Sequence, residues 1–139
     1  MIDAVVTLLQ NDATLAAILT GGVHRAVEIS RQETPGAFDN NRELLPCALV
    51  KQESATSWGP HPHSGRLYIA VWFYQRRGYD AVEAARKRVY QLLHRRKLMP
   101  GDGSGCYEMR HAGDLLDAEE AELGVSMAMS RYVATVERR

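Results

Sequence analysis

GRLYIAVWFYQRRG, residues 65–78, is apolar on both sides when read as an extended strand. At a period of two, Leu67, Ile69, Val71 and Phe73 fall on one face, and Tyr68, Ala70, Trp72 and Tyr74 fall on the other. An antiparallel strand with one wet face alternates apolar and polar residues, so this one needs cover twice. Helices of the same chain can supply one cover. The second must come from the chain's own loops or from another chain.

The flanking sequence supplies the first cover. Ile2, Val5, Val6 and Leu9 repeat at helical spacing, and Leu15, Ile18 and Leu19 follow Asn11-Asp12, a pair suited to capping a new turn. Gly21-Gly22 ends this helical region. C-terminal to the two-faced strand, Gly78-Tyr79 stops it, and Asp80 with Glu83 reads as a capping box. The helix predicted from there to Arg96 carries Val82, Ala85, Val89, Leu92 and Leu93 on one face and ends in a cationic turn, which suits the helix dipole.

The remaining strands are shorter to argue. Val23 to Ile29 is expected as a first strand, Pro46 to Ser54 as a second, and Cys106–Leu116 with Leu123–Val136 as a closing hairpin after the turn at Pro100-Gly101-Asp102-Gly103. Residues 30–45 and 52–64 are polar and rich in turn formers, and read as long loops or exposed arms. The fold class is therefore α+β: a mostly antiparallel sheet of about five strands, with N-terminal helices and one longer helix packed on one face.

All 139 residues fit one domain, within the usual span of roughly 100–200. Seventeen basic and seventeen acidic residues cancel, which gives no sign of a protein that grips nucleic acid or an anionic membrane through its net charge. Cys47 and Cys106 form no CxxC pair and fit a reduced cytosol better than secretion. No signal peptide, membrane span or internal repeat is read.

Chemistry-bearing motifs are sparse. His61-Pro62-His63 puts two imidazoles on one side of an extended chain, and a metal would need a third and fourth ligand, from Glu53 or another histidine, but no HExxH or CxxC spacing supports one. Ser54, Ser57 and Ser104 lack a nucleophile elbow, and the glycine-rich turn 101–105 lacks a Walker lysine and precedes a strand. No catalytic residue, cofactor or metal is expected. Charge is segregated instead: Arg76, Arg77, Arg86, Lys87, Arg88, Arg95, Arg96 and Lys97 fall within 76–97, and Asp114, Asp117, Glu119, Glu120 and Glu122 within 114–122. Two solvated faces would explain this. The sharper reading is a basic patch on one subunit that meets an acidic patch on the next, with Tyr68, Trp72 and Tyr74 as apolar anchors between chains. The subunit-contact candidates are thus Tyr68, Trp72, Tyr74, Arg86, Arg88, Arg95, Asp117, Glu119, Glu120 and Glu122.

In order, NDATLAAILTGGVHRAV, the loop ending in LLPCALV, the strand RLYIAVWFYQR and the helix GYDAVEAARKRVYQLL resemble the tail-terminator (tail-completion) proteins of long-tailed bacteriophages. The resemblance implies a non-enzymatic subunit that forms a homomeric, usually hexameric, ring on the head-proximal end of the tail tube. It implies contacts with itself, with the tail-tube protein and with a head-side neck or connector protein, and DNA that only passes through the lumen. The expected place is the virion's head-tail junction, after synthesis in the bacterial cytoplasm. A head-completion or adaptor protein on the other side of that joint is the near alternative, and a small metal-dependent enzyme using His61 and His63 the distant one.

Overall fold

In the computed structural model, residues 2–58, 61–98 and 105–137 are described, with side chains outside 57–64, 105–107 and 137. The helices are α1 (Ile2–Gln10), α2 (Ala13–Ile18) and α3 (Asp80–Leu93), and the strands are β1 (Val23–His24), β2 (Cys47–Trp58), β3 (His61–Gln75), β4 (Gly105–Glu120) and β5 (Val125–Glu137). They form one five-stranded sheet ordered β1-β2-β3-β5-β4, with only the β1 and β2 pair parallel. The α+β class expected from the sequence is the class observed.

β3, the two-faced strand, occupies the middle. Leu67, Ile69, Val71 and Phe73 are buried in one core with Val5 and Leu9 of α1, Leu15 of α2, and Val82, Ala85, Val89 and Leu93 of α3. The helical spacings read from the sequence thus place the apolar stripes of α1 and α3 on this face. Asp12 caps α2 as its spacing suggested, accepting from the Leu15 N–H at 2.8 Å. The same carboxylate receives Arg88 Nε at 2.9 Å and Nη2 at 2.7 Å, a two-pronged bond that ties α2 to α3.

Arg88 and the Leu15 N–H, outweighing partial desolvation, hold the Asp12 carboxyl down at about 2. Its folded value lies below its unfolded one, near 4, so its stabilisation is present above that pH and is lost as pH falls from about 4 towards 2. Asp12→Asn keeps a capping oxygen and removes the charge. Acid unfolding followed by circular dichroism should show a shallower loss of stability over that window in the variant.

The second face is covered by the chain itself. The stretch Val23–Ile29 was expected to be a strand, but only Val23 and His24 pair with β2. The chain then leaves the sheet edge so that Ala26 and Ile29 can turn over the face. Residues 30–45, expected as an exposed arm or loop, are largely a loop but fold back to continue that cover: Ile29, Ala37 and Leu44 are buried with Cys47, Leu49, Tyr74 and Val125, and Phe38 packs beside them. The polar residues of the segment serve its own backbone. Thr34 Oγ1 donates to the Ser30 carbonyl at 2.9 Å, and the Asp39 carboxylate accepts from the N–H groups of Asn41 and Glu43.

Two further expectations change. Of residues 52–64, expected as a loop or arm, 52–58 and 61–64 lie in strands, because β2 runs to Trp58 and β3 starts at His61, with register shifts after Gln52 and Ser57. The start of α3 is not a capping box: Tyr79 is the cap residue and makes no side-chain bond there. Gln75 at the end of β3 does the work, its Oε1 accepting from Ala81 N–H at 3.0 Å and Val82 N–H at 3.2 Å while its Nε2 donates to Asp80 and to the Arg77 carbonyl. The helix also stops at Leu93, short of the cationic turn. Arg95 adopts a left-handed backbone at φ 64°, and its N–H donates to the Met109 carbonyl while Met109 N–H donates to the Arg96 carbonyl.

Candidate functional site

Residues directly opposite one another in antiparallel strands share a face, which fixes the surroundings of the aromatic row. Tyr74 lies across from Cys47 and Met127, Trp72 from Leu49 and Met129, Ala70 from Lys51 and Arg131, and Tyr68 from Ser54 and Val133. The cover made by residues 26–45 ends over the first two of these rows. Tyr74 is only 6% exposed, and burial pushes its hydroxyl up to about 12. It has almost no surface to offer a second chain. Trp72 is half-buried with Lys51 Nζ 5.9 Å from its ring centre, and Tyr68 is half-buried beyond the cover. There the sheet is bridged by Arg131, whose Nε donates to Glu53 at 2.5 Å.

The charged candidates separate into those paired inside the subunit and those on its surface. Arg86 binds Glu83 at 2.7 Å and Asp114 at 3.3 Å, and Arg88 binds Asp12. Both guanidinium groups are therefore engaged at home. Arg95 is exposed. Asp117, left-handed at φ 50°, Glu119 and Glu122 are exposed, and half-buried Glu120 accepts from the Glu122 N–H at 3.1 Å. The structure brings the basic helix and the acidic strand together within one subunit at Arg86 and Asp114.

That meeting point contains a cluster the sequence did not disclose. Asp114 Oδ1 accepts from Ser130 Oγ at 2.6 Å and lies 2.8 Å from His111 Nε2, while Oδ2 faces Arg86. Burial alone would raise the Asp114 carboxyl, but the bonds from His111 and Ser130 bring it below the ordinary range. Below the cluster, Tyr132 is fully buried, and burial pushes its hydroxyl well above the ordinary range. Serine and histidine bind the same carboxylate oxygen, so the imidazole is not interposed between Ser130 and Asp114 and this arrangement is no proton relay to a nucleophile. The sequence gives little trace of it, because Asp114 and Ser130 are two polar residues among several in their strands and only the register brings them together.

Cys47 is buried, and burial pushes its thiol up to about 12, where a thiolate is scarce. Among the described residues no group of three His, Cys, Asp or Glu side chains is placed to hold a metal. The side chains of His61, His63 and Cys106 lie outside the described residues.

Two sheet edges remain. β1 covers β2 only at Ala48 and Leu49, leaving the outer edge from Val50 onward, where Arg25, Ala26, Val27, Val50, Lys51 and Gln52 line a shallow groove. β4 is the opposite edge, held at Met109 by the Arg95–Arg96 backbone and at the Ala118 carbonyl by the Tyr79 hydroxyl at 2.8 Å.

Among solved structures the chain is similar to one from the virion of a native gene transfer agent (GTA) particle, with a TM-score of 0.76 and 18% identity, over 99% of this chain and 94% of that one. At that identity the likeness is one of fold. No protein-family model and no curated protein sequence matches the chain.

Proposed function

We propose that the chain is a structural protein of a phage-like virion, a tail terminator that forms a homomeric, hexameric ring at the head-proximal end of the tail tube, stops tube growth and joins tail to neck. The observation that carries the reading is the near end-to-end match of fold to a chain of a GTA virion. The order of motifs read from the sequence points the same way. In this role the partners are further copies of the chain, the tail-tube protein and a head-side neck protein.

DNA passes through such a ring without being held, and a chain whose seventeen basic and seventeen acidic residues cancel adds little counterion-release affinity. Among the described residues no helix is long and apolar enough to cross a membrane.

Light scattering behind size-exclusion chromatography, with negative-stain imaging, tests the reading together with co-assembly on tail-tube protein. Closed rings that seat on tube ends and halt their growth are the expected result. Rings that bind a portal-side connector and ignore tubes would assign the chain to the adaptor layer instead. A chain that stays monomeric alone and with both partners would overturn the proposal.

A further inference from the structure

The two sheet edges have complementary surfaces. In the run β2-β3-β5-β4 every neighbour is antiparallel, and the number of strands is even, so the outer strands β2 and β4 point in opposite directions. A second copy related by rotation alone therefore presents its β4 antiparallel to the first copy's β2. An odd number would have forced a parallel contact. Repetition of this heterologous contact leaves no edge free, and it closes into a ring when the rotation from one copy to the next divides a full turn.

Apolar exposure is concentrated at these edges. Five large hydrophobic residues stand exposed among those described; Leu115 at 42% and Leu116 at 49% lie on β4, and Leu123 lies in the turn that follows. Val27, at 77%, lies in the groove beside β2. Charge is complementary as well. The leucines are flanked by Asp117, Glu119 and Glu122, all exposed, whereas the groove carries Arg25 and Lys51. Arg25 is paired to exposed Asp3 at 2.5 Å, a surface bond weak enough to be exchanged, and the acidic neighbour Glu53 is already bound by Arg131. Register shifts on either side of Leu115, at His111/Gly113 and Leu115/Ala118, interrupt the regular β4 edge, so the contact rests on the leucines and their charged flank more than on a long hydrogen-bonded ladder.

We infer that the Leu115–Leu116 edge of one copy, with its acidic flank, seats in the Val27 groove beside β2 of the next copy. The inference rests on the ring reading above and specifies its contact. It transfers the acidic half of the contact from the helix face, where Arg86 and Arg88 are already paired, to the cations of the groove.

The test uses the full chain with Cys106→Ser, carrying Val27→Cys and Leu116→Cys together and each alone. Both positions are exposed, so the fold should tolerate the changes. After light scattering has established the assembled state, mild oxidation should give the double variant a disulfide ladder up to the full ring on a non-reducing gel, and give the single variants none. Assembled rings without a ladder would overturn this contact and leave the ring reading intact. Dimers from a single variant would indicate a two-fold contact and overturn it too. Absence of any assembly, alone or on tubes, would remove the ring reading and the contact with it.

Discussion

Phe73→Ala should lower the unfolding free energy by about 3–5 kcal/mol, the range for a large aromatic removed from a packed core. Phe73 is fully buried on the helix face of the central strand, directly opposite Ala48 on β2 and Ala128 on β5. Small residues on both sides have made room for the ring, and they cannot refill the space when it is removed. Trp72→Ala, one residue along, provides the comparison. Its ring is larger but only half-buried, against Leu49, Met129 and the Lys51 ammonium, so the loss should be under half as large. Urea unfolding of the two variants reads the contrast. With a slope of roughly 2 kcal/mol per molar, Phe73→Ala should move the midpoint by about 2 M. Equal losses would mean that the two faces of β3 are not covered in the way described.

The second large effect is expected at Gln75. Its amide joins the end of β3 to the first turn of α3 by accepting from two helix N–H groups and donating to Asp80 and Arg77. Helix N–H groups of the first turn have no partner within the helix, and the Val82 N–H is buried. Gln75→Ala leaves them unpaired at a cost of about 2–3 kcal/mol. Hydrogen exchange would localise the loss: the amides of Ala81 and Val82 should exchange far faster than in the parent, while Val89 in the middle of α3 should slow or hasten only with global stability. Unchanged protection at Ala81 and Val82 would show that the cap comes from elsewhere.

What could be read in the sequence was whatever repeats locally. The period of two in residues 67–74 assigned both faces of β3 correctly, and the helical spacing of Val5, Val6 and Leu9, and of Val82, Ala85 and Val89, identified the stripes that cover one of them. Asp12 was recognisable as a cap because its bond is made three residues away. The second cover was hidden because Ile29, Ala37, Phe38 and Leu44 are few, irregularly spaced and surrounded by polar residues whose bonds stay inside the loop. The cap of α3 was misassigned for a related reason: Asp80 and Glu83 have the right spacing, but the acceptor is supplied by a strand residue upstream of the turn.

Charge shows the limit most clearly. Arg88 finds Asp12 seventy-six positions away, so no window along the chain displays the pair. The basic and acidic runs were visible, and the contact between chains assigned to them was an inference about partners. Arg86 and Arg88 are engaged inside the subunit, so the surface acids Asp117, Glu119 and Glu122 are not met by the two helix cations that the charge pattern had matched to them.

The strand order also constrains how the molecule comes into being. β5 is synthesised after β4 yet inserts between β3 and β4, so a ribosome that has made everything up to Glu120 has produced two strands on either side of a missing one. Until Val125–Glu137 emerges, β3 keeps one flank unpaired and β4 has no neighbour to join. The helices and the β2–β3 hairpin can gather early, but the sheet can be completed only by long-range pairing, which is slow. The β4 edge therefore appears last, and a nascent chain cannot engage a finished one through that edge before its own sheet is complete.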